Sequence, residues 1–147
     1  MTVLTIALGS TTFADANVFN DARDMTIKAN AYLNDNGRDV AFKTFNDRDE
    51  GFYDEKENLY VFVLDLNGNI LASGEKDSIG MNISKEKTIY NNTRGYRIKQ
   101  INESVQKQGW MSYSWDPLDS ETKLPKSSYL IIKDKTGLIV GVGAYEQ

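Results

Sequence analysis

Aromatic residues alternate along one predicted strand near the C-terminal end of the chain, and a lysine begins the next strand. Met111, Tyr113 and Trp115 share one face of the predicted strand 110–116, because side chains alternate between the two faces of a strand. Tyrosine and tryptophan combine apolar surface with a hydrogen-bonding tip, so they can line a pocket and still contact a polar ligand. Lys126 can pair with a carboxylate as a point charge. The spacing therefore predicts a site for a small organic anion.

The same residues have simpler explanations. The aromatic side chains could simply pack beneath the following loop, and alternation alone does not separate the two interpretations. Lys126 could be an ordinary solvated lysine. Arg94 and Arg97 flank Gly95-Tyr96 and could hold a carboxylate between them, but pairing with nearby acidic side chains at the surface is the favoured interpretation for both.

The composition excludes most other chemistry, because the chain contains neither histidine nor cysteine. Histidine is the commonest general base near neutral pH and the commonest transition-metal ligand. Cysteine supplies thiol nucleophiles, disulfides and thiolate metal sites. We therefore expect a binding site rather than a catalytic site, with no cofactor and no metal. An enzyme that uses a pair of carboxylates remains the third hypothesis, although no nucleophile and base are arranged to support it.

Length and charge limit the possible partners. The 147 residues are enough for one ordinary domain with a buried core. Seventeen basic and 21 acidic residues give a net charge of −4. This balance argues against nucleic acid or an anionic membrane surface as the main partner, because both attract basic patches.

Residues 1–16 resemble a secretory signal peptide. Met1 to Leu8 is mostly apolar, and Ala14-Asp15-Ala16 fits a cleavage pattern of small residues. No basic residue precedes Arg23, so the usual basic start is missing, and a buried strand or the beginning of a helix is the other interpretation. No segment approaches the roughly 20 apolar residues that a membrane-spanning helix needs. We expect an exported bacterial protein, periplasmic or secreted, whose residues 17–147 form the domain.

The predicted elements form an α+β domain. Helices precede the strands, most strand links look like hairpins, and the sheet should therefore be mostly antiparallel, with the long first helix on one face. The predicted helices are 17–36, a short one capped by Asp39, and 96–108; the predicted strands are 59–64, 70–72, 110–116, 126–133 and 138–145, with a type I′ turn at Asn67-Gly68.

These motifs, in this order, resemble a single Cache domain, the extracytoplasmic sensing module of bacterial chemoreceptors and sensor kinases. The resemblance covers roughly Asn17 to Gln147 and rests on order and spacing rather than on one diagnostic motif. The residues that carry it are Gly109-Trp110, Tyr113-x-Trp115, Pro117, Pro125-Lys126-x-x-Tyr129, Gly141-Val142-Gly143-x-Tyr145, the hairpin 60–72 and Gly80-Met81-Asn82-Ile83.

The resemblance implies a PAS-like, five-stranded antiparallel sheet with the long helix on one face. The crossover segment would cover a pocket on the other face, which commonly holds a short carboxylate such as pyruvate, acetate, propionate or lactate. The family's usual Asp-x-x-Gly pattern in the crossover is replaced here by residues 92–95. Carried over by position, the implied ligand-binding residues are Tyr113, Trp115 and Lys126, with Phe62, Tyr129 and Arg94 as weaker candidates.

The implied function is the sensing of a small carboxylate for chemotaxis or signal transduction, with a membrane receptor or sensor kinase reading the bound state. Family members are usually ectodomains between two membrane helices, and this chain resembles the less common free-standing exported form. The alternative is a structural or interaction domain that forms a homodimer through the N-terminal helix and binds no ligand.

Overall fold

A computed structural model describes residues 10–115 and 124–146, without the side chains of residues 10–16. This part of the chain folds into helices that precede an antiparallel sheet, apart from one crossover helix. The elements are α1 (Ser10–Asn36), α2 (Arg38–Asn46), β1 (Tyr53–Asp54), β2 (Leu59–Leu64), β3 (Ile70–Ser73), a 3₁₀ helix (Lys76–Ser78), α3 (Arg94–Glu103), β4 (Gln108–Trp115), β5 (Leu124–Ile132) and β6 (Ile139–Tyr145).

The sheet is antiparallel at every described strand pair and has the order β1-β2-β6-β5-β4, with β3 also paired to β2. The five strands β2 to β6 are those that the sequence predicts, and the α+β prediction is confirmed. The two-residue β1 lies in a segment for which the sequence predicts neither helix nor strand. Because β2 pairs with the last strand, β6, the first hairpin lies beside the C-terminal end of the chain. This non-local pairing builds the site described below.

One sheet face packs against α1 and α2. Ala22 and Ala29 are fully buried on α1, and their small side chains let the helix lie close to β5 and β6. The valines of β2 and β6 fill the sheet side of this core. α2 begins after Gly37 and not after Asp39, which lies in its first turn, so the predicted side-chain cap is wrong.

The other face carries a second core, covered by the 3₁₀ helix, the connection 79–93 and α3. Thr93 caps α3 by accepting a hydrogen bond from the Tyr96 amide at 3.1 Å, so the helix begins two residues before the predicted start. It ends at Glu103, because the Ser104 hydroxyl and amide both bond back to the Ile101 carbonyl. Val105 lies beyond the end of α3 and is fully exposed, although the helix predicted over residues 96–108 includes it.

The β2–β3 turn also differs from its prediction. Gly68 has a positive φ of 85°, but Asn67 does not, so the turn is not of type I′, which needs two such residues. The reason is Asp65, whose carboxylate accepts the backbone N–H groups of Asn67 and Asn69 at 2.9 and 3.0 Å. This local bonding stabilises a wider turn and a register shift between Val63 and Leu64.

Two predictions concern regions that the structure describes only in part. α1 is described from Ser10, so helix occupies part of the segment predicted as a signal peptide, while residues 1–9 lie outside the described residues. The predicted cleavage stays a prediction. Asp116 and Pro117 also lie outside the described residues.

None of the described helices is both long enough and apolar enough to cross a lipid bilayer.

Candidate ligand-binding site

A small cavity lies on the sheet face opposite α1, beneath the 3₁₀ helix and the start of α3. Its volume is about 30 Å³, which is room for about one or two water molecules. A carboxylate of two to four carbons therefore has to displace side chains from the positions they hold here. The cavity is lined by Tyr60, Phe62, Leu64, Ile70, Ser73, Ser78, Ile83, Arg94, Met111, Tyr113, Trp115 and Lys126.

Lys126 is the polar centre of this cavity. It lies on β5 directly opposite Tyr113 of β4 and Tyr145 of β6, and it is 2% exposed. Its Nζ donates a hydrogen bond to Tyr60 Oη at 2.9 Å and lies 4.4, 4.9 and 5.9 Å from the ring centroids of Tyr60, Tyr145 and Trp115. The solvated-lysine interpretation is therefore wrong.

The charge of Lys126 is costly in this position. Burial lowers its pKa from 10.5 to about 7, with the Glu75 charge acting in the opposite direction and the Arg94 charge adding to the decrease. Among the described residues, no carboxylate oxygen lies within 4.0 Å of its Nζ. A bound anion would supply the missing partner and favour the protonated form.

Gly143 gives the Lys126 side chain its space. A Cβ at position 143 of β6 would collide with Lys126 Cε and with Ser128 Oγ. The glycine that follows Val142 in the closing motif is therefore a packing requirement of the site.

We expect Gly143→Ala to lower the free energy of unfolding by about 1–3 kcal/mol, because overpacking forces neighbours off their preferred positions. Gly109→Ala is the matched control, since its Cβ would meet its nearest neighbours at 3.6 and 3.7 Å, an ordinary contact distance. Urea unfolding followed by circular dichroism measures both variants. Equal stability of the two variants would contradict the packing role of Gly143.

Tyr113 and Trp115 form one wall, as their alternation predicts. The Tyr113 hydroxyl is hydrogen-bonded to Ser128 Oγ at 2.6 Å, and burial raises its pKa, so it stays neutral. Trp115 Nε1 donates to Glu75 Oε2 at 3.3 Å. The two rings meet edge to face, with centroids 6.4 Å apart. The indole N–H and the phenol hydroxyl are therefore both already hydrogen-bonded to protein side chains.

Arg94 supplies a second buried cation, 2% exposed, at the first turn of α3. Its Nη2 donates to Glu86 Oε2 at 2.8 Å and to the Ser114 carbonyl at 3.0 Å. The guanidinium lies 4.0 Å from the Tyr113 ring centroid, and its buried Nε has no hydrogen-bond partner among the described residues. Burial lowers its pKa, with the Glu86 carboxylate acting in the opposite direction, although a guanidinium stays protonated. Pairing with an acidic side chain is confirmed for Arg94, but its predicted surface position is wrong.

Arg97 lies outside the cavity. Its Nε and Nη2 both donate to the Trp110 carbonyl, at 3.1 and 3.0 Å, so it fixes α3 against β4. The clamp of two arginines on one carboxylate, which was the less favoured interpretation, is therefore not formed, and among the described residues Arg97 has no acidic partner within 4.0 Å either.

Phe62 lies in the cavity wall, but Tyr129 does not. Tyr129 is three residues after Lys126 on β5, so alternation places it on the opposite face, where its ring meets Trp110 at 5.1 Å. Tyr129 therefore lies outside the cavity around Lys126.

The predicted site residues do not include Tyr60 or Glu75. Tyr60 shares the face of Phe62 on β2, so alternation could have identified it, whereas Glu75 comes from a loop without periodicity.

A family model described as the Cache domain matches residues 24–147. The chain belongs to the Cache domain family. The PAS-like α+β architecture that the sequence resemblance implies is therefore confirmed. No curated protein sequence matches the chain significantly.

Solved structures show the same Cache fold. A periplasmic sensor domain of a chemotaxis protein superposes with a TM-score of 0.64 at 16% identity, over 94% of this chain and 99% of that one. A methyl-accepting chemotaxis protein from Vibrio parahaemolyticus gives 0.68 at 14% identity, over 92% and 93%. A Cache chemosensory domain solved to explain carboxylic acid recognition gives 0.60 at 16% identity, over 99% and 100%. At these identities the likeness concerns the fold, and the ligand has to be argued from the cavity.

Proposed function

We propose that this Cache domain is an extracytoplasmic, non-catalytic sensor domain that binds a short carboxylate in the cavity around Lys126. The observation that carries the proposal is a buried ammonium group surrounded by aromatic rings, without a carboxylate within 4.0 Å among the described residues. Buried charges are normally paired, and an isolated one is expensive to keep. A carboxylate ligand of matching size supplies the partner.

Arg94 and the aromatic wall define the chemistry of the ligand. Arg94 Nε, which has no hydrogen-bond partner within the described part of the chain, can donate to a second acceptor on the ligand, such as a keto or hydroxyl oxygen. The apolar lining from Phe62, Ile83 and Met111 suits a short alkyl chain. The recognition of carboxylic acids by a similar Cache chemosensory domain supports the same class of ligand for this chain.

The cellular setting of the proposal follows from the family and from the predicted export signal. We place the domain in the periplasm or outside the cell, where a membrane receptor or sensor kinase reads its bound state. A homodimer through α1 belongs to the same proposal, and Ile27, which is 48% exposed on that helix, is the residue to test for it.

A thermal-shift screen with acetate, propionate, pyruvate, lactate and their neutral amides tests the proposal, followed by calorimetry on each acid that stabilises the protein. We expect stabilisation by at least one acid and none by its amide, because the neutral amide has no negative charge to pair with the ammonium group. Equal stabilisation by acid and amide, or by neither, would contradict carboxylate sensing at Lys126.

A further inference from the structure

Glu75 is hydrogen-bonded to two aromatic side chains that line the cavity. Its Oε2 accepts hydrogen bonds from Tyr60 Oη at 2.8 Å and from Trp115 Nε1 at 3.3 Å. Since Lys126 donates to the same Tyr60 hydroxyl, only one hydroxyl separates the carboxylate from the ammonium group. Glu75 thus contacts the donors that a ligand carboxylate beside Lys126 would need.

The backbone around Glu75 fixes this carboxylate at the edge of the cavity. Glu75 immediately precedes the 3₁₀ helix, its amide donates to Ser73 Oγ at 2.9 Å, and its carbonyl accepts the Ser78 hydroxyl at 2.7 Å. Both serines line the cavity. The same segment is tied to the α2 side of the molecule, because Asn46 Oδ1 accepts the Ser73 amide at 2.8 Å and Arg48 Nε donates to the Gly74 carbonyl at 3.1 Å.

Two carboxylates cannot share these donors without cost. Like charges a few ångströms apart repel each other in a partly buried site, and a single indole N–H cannot serve both carboxylates. A carboxylate of two to four carbons does not fit the cavity of about 30 Å³ unless side chains move, and Glu75 is hydrogen-bonded to two of the lining residues.

We propose that Glu75 is an intramolecular competitor of the ligand, which an incoming carboxylate has to displace from Tyr60 and Trp115. The inference rests on the proposed carboxylate function. Displacement frees the 3₁₀ segment from the cavity, and its bonds to Asn46 and Arg48 connect that movement to the helix face of the sheet.

The test compares Glu75→Gln and Glu75→Ala with wild type by calorimetry, using acetate, propionate, pyruvate, lactate and alanine as probes. Asp77→Asn is the matched control, because it removes one exposed negative charge from the same 3₁₀ helix. We expect both Glu75 variants to bind a carboxylate about tenfold more tightly and Asp77→Asn to bind within about twofold of wild type. If Glu75→Gln fails to fold, Glu75→Ala decides the result.

The outcomes separate the two proposals. If wild type binds a carboxylate and the Glu75 variants bind it equally tightly or more weakly, the competitor role is overturned. Carboxylate sensing then stands. If the Glu75 variants bind only the amino acid alanine more weakly than wild type does, Glu75 contacts the ammonium group of the ligand. This result also overturns the competitor role. Absence of binding in wild type and in both variants overturns both proposals, whereas binding only in the variants supports both.

Discussion

We expect Lys126→Met to weaken carboxylate binding by at least about a hundredfold while making the protein more stable. Loss of one partner of a buried, hydrogen-bonded charge pair typically costs 2–5 kcal/mol of binding free energy. Methionine has a similar length but no charge to desolvate, so the free energy of unfolding near neutral pH should rise by about 1 kcal/mol or more. In this variant Tyr60 Oη no longer accepts a hydrogen bond from residue 126, but it still donates one to Glu75.

The opposite signs of these two effects make the experiment informative. A lysine retained only for packing would give a variant that is less stable, whereas a lysine retained for binding gives a more stable variant that has lost its ligand. Lys135→Met is the matched control, because Lys135 is exposed in the turn before β6. Calorimetry and urea unfolding of the three proteins measure both quantities. A Lys126→Met protein that binds acids as tightly as wild type contradicts the proposed site.

The alternation of side chains along a strand was sufficient to predict one wall of the cavity. It placed Tyr113 and Trp115 on the same face, and the hairpin from β4 to β5 sets Lys126 directly opposite Tyr113. The same rule places Tyr129 on the other face, where its ring meets Trp110, so periodicity and the motif resemblance disagree at this residue.

Other parts of the site depend on contacts between segments that are distant in sequence. Tyr60 reaches Lys126 only because β2 pairs with β6, a pairing that no local pattern encodes. Arg94 is buried because α3 packs across β4, and an arginine near a helix start gives no sign of this in the sequence. Glu75 lies in an irregular segment, where neither periodicity nor turn chemistry predicts the direction of a side chain.

The protonation of Lys126 should also make both the free energy of unfolding and the carboxylate affinity depend on pH between about 7 and 10. In the unfolded chain the lysine keeps its ordinary pKa of 10.5, whereas burial lowers the pKa in the folded protein to about 7. Between these values the unfolded chain binds one more proton than the folded protein. Stability therefore rises with pH across this window, by up to about 1.4 kcal/mol per pH unit, and the gain is lost as pH falls toward 7.

Carboxylate affinity should change in the opposite direction. The ligand binds the protonated lysine, so binding above pH 7 requires proton uptake, and the affinity should fall by up to about tenfold per pH unit. The chain is well suited to this measurement, because it has no histidine or cysteine side chain to titrate in the same range. Urea unfolding and calorimetry at pH 6, 7, 8 and 9 give the two slopes, with Lys126→Met as the control whose stability should lack the rise. Affinity and stability that stay constant from pH 7 to 9 in wild type would show that the ammonium group of Lys126 keeps its charge without a ligand, and the driving force assigned to carboxylate binding would then be absent.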